Sequence, residues 1–198
     1  MKHWILGGLA SVLAFGAQAH PIEKLPLNRP LLDMTDSGFV AQGYDAHPTV
    51  LSETQLADYI SHYDVVFFGE IHSHPGVHLQ EMKLLQGLYA RNPNLIVSFE
   101  QFESDTQDVV DAYLAGKIGE AALIKRSRAW PQYLTAYRPM LDFARVHKLP
   151  VVAAEAPTWA ISCIGQVGPE VLTQFTPEER SWVAKNLHIA QSGAYYDK

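Results

Sequence analysis

The chain has 198 residues, a formal net charge of −6 and a hydrophobic fraction of 47%. The mildly acidic balance, with no basic stripe beyond the first few residues, argues against nucleic acid as a partner. The length suits one domain with a real core, and Cys163, the single cysteine, rules out an intramolecular disulfide.

From the N-terminus, Lys2 and His3 form a short basic start and Trp4 to Phe15 is apolar and rich in small residues. Ala17-Gln18-Ala19 then fits the small-x-small rule of signal-peptide cleavage. Residues 1–19 are therefore read as a signal peptide, with His20 as the new N-terminus and the cell envelope as the destination. The apolar run is too short for a comfortable membrane span, and no cysteine follows it to accept a lipid. Residues 20–51, rich in Pro, Gly and Asp, read as an extended lead-in with a short strand near Gly38 to Gln42.

Ser52 with Gln55 three residues on predicts a capped helix whose apolar face carries Leu56, Tyr59 and Ile60. Three short β-rich runs follow, each ending in glutamate: Val65–Phe68 before Glu70, Leu95–Phe99 before Glu100, and Val151–Ala154 before Glu155. Helical sequence separates them. A helix is expected from Pro75, a favoured first-turn residue, to Asn92. Another is expected from Ser104 to Ala115, capped by Ser104 and stopped by Gly116. A third covers Gln132 to His147, interrupted by Pro139, which disfavours helical geometry at Arg138. Shorter helices follow Pro157 and Pro177. Strands alternating with helices predict βαβ units. The expected fold is α/β, a single domain over residues 52–198 with a mainly parallel sheet of three neighbouring strands flanked by helices. Cys163, beside Ala160, Ile161 and Ile164, reads as a buried inert thiol.

Ligands of open parallel sheets bind beyond the carboxyl ends of the strands. Glu70, Glu100 and Glu155 are thus expected at one sheet edge, in a shared site that needs cations or protons to relieve its charge. The loop after the first run adds His72, His74 and His78, a metal-ligand composition without the helical spacing of a zincin. His72 leaves the strand end on the side of Glu70. His74 reads as a solvated turn residue, and His78 either as a ligand or as a hydrogen-bonded core residue beside Met82 and Leu85. Trp130, Tyr133 and Tyr137 form an aromatic stripe, which is usually core, although tyrosinate is also a ligand of ferric haem. Arg126, Arg128 and Arg138 flank it and suit carboxylates such as propionates.

Several pieces occur in a specific order: Phe68-Gly69-Glu70-Ile71-His72 with His78, Phe99-Glu100-Gln101-Phe102, Gln107, Ala115-Gly116, Trp130 to Tyr137-Arg138-Pro139, Phe143-Ala144, and Leu149 to Ala154. In that order they resemble the ChaN-like haem-binding uptake family of the Tiki and erythromycin-esterase-like superfamily, over Ser52 to Gly165. The resemblance implies a periplasmic or membrane-associated protein that binds haem for iron uptake and is not an enzyme. It implies a homodimer with stacked haems, tyrosine ligation, propionate contacts from the other subunit, and hand-over to membrane haem-transport machinery. Tyr137 is the first choice of ligand and Tyr133 the second, with His72 and His78 as further cofactor-binding candidates. Hydrolytic members of the superfamily suggest the alternative, an enzyme using Glu70, His72 and Glu100, with a divalent metal ion on Glu70, His72 and His78. Ser73 stands where relatives often have Asp, and Glu155 where they often have Asn. Against such relatives the chain is expected to be incomplete at its C-terminus.

Overall fold

The structure is a computed structural model that describes residues 43–44 and 50–186. The expected signal peptide and the strand expected near Gly38 to Gln42 lie outside the described residues. Two short strands, β1 (Gly43–Tyr44) and β2 (Val50–Leu51), pair antiparallel. The expected capping box then opens α1 (Glu53–Ile60). The Gln55 amide donates to Ser52 Oγ at 3.2 Å, and the Ser52 amide donates to Gln55 Oε1 at 2.9 Å.

Helix α2 runs from Pro75 to Arg91, as expected from its first-turn proline, and ends at Asn92. Its approach to α1 is close enough that a Cβ on Gly87 would lie 2.9 Å from the Cβ of Ala57. Ion pairs from Lys83 to Glu53 and from Arg91 to Asp58 border this contact.

The central sheet is a parallel pair, β3 (Val97–Glu103) and β4 (Val151–Glu155), with Val97 opposite Val151 and Phe99 opposite Ala153. Parallel neighbours need a long crossover. Here it consists of a 3-10 turn (Ser104–Thr106), α3 (Gln107–Leu114), α4 (Glu120–Arg126), a π-helical turn (Tyr133–Tyr137) and α5 (Arg138–His147). The core lies between this crossover and the pair, built from Phe99, Phe102, Val110, Leu123, Leu141 and Val151. After β4 come α6 (Thr158–Val167), a 3-10 segment (Pro169–Gln174) and α7 (Pro177–Ser181), so both expected late helices form. The architecture is α/β, a small parallel sheet flanked by helices.

Four expectations need correction. The run Val65–Phe68 is not a strand: it joins no ladder among the described residues, and Phe67 is 93% exposed. β-Branched and aromatic residues supply propensity, but a strand also requires a partner edge. Second, Ser104 does not cap α3. Its hydroxyl donates to the Trp182 carbonyl at 2.9 Å, and the helix proper begins at Gln107 after a tighter turn. Gly116 does adopt the expected left-handed conformation, at φ 71°.

Third, Arg138 is helical, at φ −50° and ψ −46°. Pro139 falls in the first turn of α5, where a missing N–H is no loss. The interruption appears instead as the widened turn before it, a form common near functional sites. Finally, Cys163 is only partly buried. Helix α4 went unanticipated in the sequence pattern, since its seven residues offer only two turns of periodicity.

Candidate functional site

Gln101 and Glu100 are neighbours in the irregular part of β3, where Glu100 is exposed and Gln101 turns inward. Gln101 is buried, and its Nε2 donates to Glu70 Oε1 at 2.8 Å. Glu70 lies in the loop before α2, and its side chain is 7% exposed. The same Oε1 accepts the hydroxyl of Tyr137 at 2.9 Å and faces His72 Nδ1 at 3.1 Å. One carboxylate oxygen thus collects a strand, a helical turn and a loop.

The other oxygen, Oε2, lies 3.1 Å from His78 Nδ1. That ring nitrogen is aimed at Glu81 Oε2, 2.8 Å away, and Glu70 Oε2 remains buried without a hydrogen bond. On its far side, His78 Nε2 is 2.8 Å from the carbonyl of His72. A carbonyl only accepts, so Nε2 carries a proton. Burial pushes the His78 imidazole down, but the His72 carbonyl and the Glu81 and Glu70 carboxylates more than reverse this and leave it raised. Glu81 is also raised, chiefly by burial, with the charge of Glu70 adding to it against the His78 hydrogen bond.

His72 differs from its neighbours in being half exposed, with 50% of its side chain open to solvent. Its ring stands edge-on to Trp130, with centroids 4.9 Å apart. Nδ1 faces a carboxylate, so its proton belongs on that side. In the neutral ring Nε2 then keeps its lone pair. Before it in the chain, Val65, Phe67, Phe68 and Ile71 are all exposed.

The tyrosines are placed otherwise than a ligand on an open surface would be. Tyr137 and Tyr133 are each 1% exposed. Burial first, and then the hydrogen bond to Glu70, raises the Tyr137 phenol well above its ordinary value. Burial likewise raises Tyr133, whose hydroxyl faces Glu120 at 3.5 Å. Arg138 does not offset this, because its guanidinium pairs with Glu120 at 2.8 Å and Asp142 at 3.5 Å. Arg128 is likewise held, by Glu103 and Asp105.

Of the three glutamates expected at strand ends, only Glu155 ends a strand: Glu100 lies within β3, which runs on to Glu103, and Glu70 precedes α2 in a loop. Burial and then the charge of Glu100 raise the Glu155 carboxyl, so those two lie within electrostatic reach of each other. Glu70 lies with Gln101, Tyr137 and the histidines. His74 caps α2, accepting from the Val77 amide at 3.3 Å. The sequence reading missed Gln101 and Glu81. Glu81 stands one helical turn beyond His78, where side chains meet, and that spacing was the available signal. Gln101 is adjacent to Glu100, but it is buried where Glu100 is exposed.

A family model described as haem-binding uptake, Tiki superfamily, ChaN matches residues 56–198. No curated protein and no solved structure matches the chain.

Proposed function

We propose, for a chain that belongs to the ChaN haem-binding uptake family of the Tiki superfamily, that it binds ferric haem as the cargo of iron uptake and that His72 holds the iron. The exposed His72 imidazole, oriented from behind by buried Glu70, carries this reading. Histidine is an established axial ligand of haem iron, and a carboxylate on the far ring nitrogen is the usual support for a ligating imidazole, fixing its tautomer and raising its basicity. The apolar segment from Val65 to Ile71 offers the surface that a largely apolar macrocycle requires.

Tyr137 suits the role less well. Ligation would require its buried phenol to lose both its proton and its bond to Glu70. The proposal extends to export, on the Ala17-Gln18-Ala19 pattern, and so to action in the periplasm or on the envelope. It extends also to a homodimer closing over the apolar segment, and to hand-over of haem to membrane transport machinery.

Ferric-haem titration followed by absorption spectroscopy tests the ligand. His72→Ala should weaken binding at least about tenfold, the lower end of losses at metal-site partners, and change the spectrum. Tyr137→Phe should leave the spectrum in place. The opposite pattern, with a tyrosinate band lost in Tyr137→Phe alone, assigns the iron to Tyr137. Absence of haem binding by the wild-type protein refutes the reading.

A further inference from the structure

Behind His72, three side chains converge without a common partner. One ligand atom each from Glu70, His78 and Glu81 lies within 4.8 Å of the other two. The side chains of Glu70 and His78 are each 7% exposed and that of Glu81 is 11% exposed, so water does little to separate their charges. A proton must sit on His78 Nε2, which donates to the His72 carbonyl. This turns Nδ1 toward the two carboxylates. Unprotonated, Nδ1 would present a lone pair to two oxygens that, while ionised, also only accept. One proton on Nδ1 satisfies Glu81 and leaves Glu70 Oε2 buried with no hydrogen bond. An unmade hydrogen bond of a buried charged oxygen is costly.

We infer that Glu70, His78 and Glu81 form a binding site for a divalent transition-metal cation, separate from the iron of haem. A dication neutralises the two carboxylates and reaches all three atoms, including the oxygen that no proton donor serves. One imidazole nitrogen with two carboxylate oxygens suits Mn2+, Fe2+ or Zn2+ better than Ca2+, which takes a larger all-oxygen shell. The outer contacts are those of a built site. His78 donates its other N–H to a backbone carbonyl, the usual support for a ligating histidine. Glu70 is held at its second oxygen by Gln101 and Tyr137.

The test uses the chain stripped with chelator, kept free of haem, then exposed to Zn2+ or Mn2+. Elemental analysis after gel filtration should find about one ion per chain, and the thermal midpoint should rise with added metal, as it does when a ligand binds only the folded state. Glu81→Gln keeps the side-chain shape and should weaken metal binding at least about tenfold, a loss at the low end for metal-site partners. His78→Gln should do the same. Because His78→Gln also removes a buried bond to the His72 carbonyl, the His78 ring nitrogens are followed by NMR in the wild-type chain as well. Metal addition should leave Nδ1 unprotonated and shifted. The proposal is overturned if the wild-type chain retains no ion, if Glu81→Gln binds as well as wild type, or if the His78 ring resonances do not change when metal is added.

Discussion

The Tyr137 hydroxyl donates to Glu70 over 2.9 Å, joining residues 67 positions apart between a π-helical turn and the segment before α2. The bond is buried and its acceptor is a carboxylate. Tyr137→Phe should therefore cost stability, roughly 1–3 kcal/mol for a buried bond to a charged group. Urea unfolding at neutral pH measures the loss. The Tyr137 phenol is raised in the folded chain, so its contribution is whole below the unfolded value and fades as pH rises past about 10. The gap between wild type and variant should close in that direction. A variant as stable as wild type at neutral pH would contradict the geometry.

Gln107 acts as a piece of strand. Its Nε2 donates to the Val151 carbonyl at 2.8 Å, and its Oε1 accepts the Ala153 amide at 2.8 Å. These groups face away from β3, whose Val97 amide bonds instead to the Pro150 carbonyl. A side-chain amide thereby closes the outer edge of β4. Gln107→Ala should destabilise by about 1–3 kcal/mol through the unsatisfied buried backbone groups. In hydrogen exchange, the Ala153 amide should lose more protection than any other in β4.

Glu155 lies opposite Glu103 in the sheet register. Burial, then the charge of Glu100, raises its carboxyl in the folded chain. An acid raised on folding destabilises the fold as it ionises, so the penalty is absent at acid pH and grows as pH climbs through and above the ordinary carboxylate range. Glu155→Gln should then stabilise the protein at pH 7, on the order of 0.2–1 kcal/mol as for other cross-strand pairs. It should change little at pH 3. Melting curves at the two pH values decide it.

Two aspartate substitutions separate core from surface. Val151 is 4% exposed and sits in the parallel pair, so Val151→Asp should unfold the domain, since an unpaired buried charge costs several kcal/mol. Val66 is exposed, and Val66→Asp should shift stability by no more than about 0.5 kcal/mol, as at other surface positions. Circular dichroism of the two variants checks the contrast. Unfolding by Val66→Asp would mean that the segment is a buried strand after all.

The features legible in the chain are those governed by neighbours a few residues apart. Ser52 and Gln55 form their capping box within one turn, Pro75 opens α2 and Gly116 closes α3, because each depends on local backbone geometry. β3 and β4 were also readable, since a continuous apolar run between helices has few other places to go in an α/β fold. The run from Val65 to Phe68 has the same composition and stays unpaired, because composition says nothing of whether a partner edge is open. The candidate site was half visible for the same reason. Glu70 and the histidines cluster in sequence, but their partners Gln101 and Tyr137 stand 31 and 67 residues away. Which of the two tyrosines meets Glu70, and whether its ring is open or buried, follows from how the crossover helices pack onto β3. Periodicity marks the face of a helix that is apolar; it carries no distance to the carboxylate waiting beneath it.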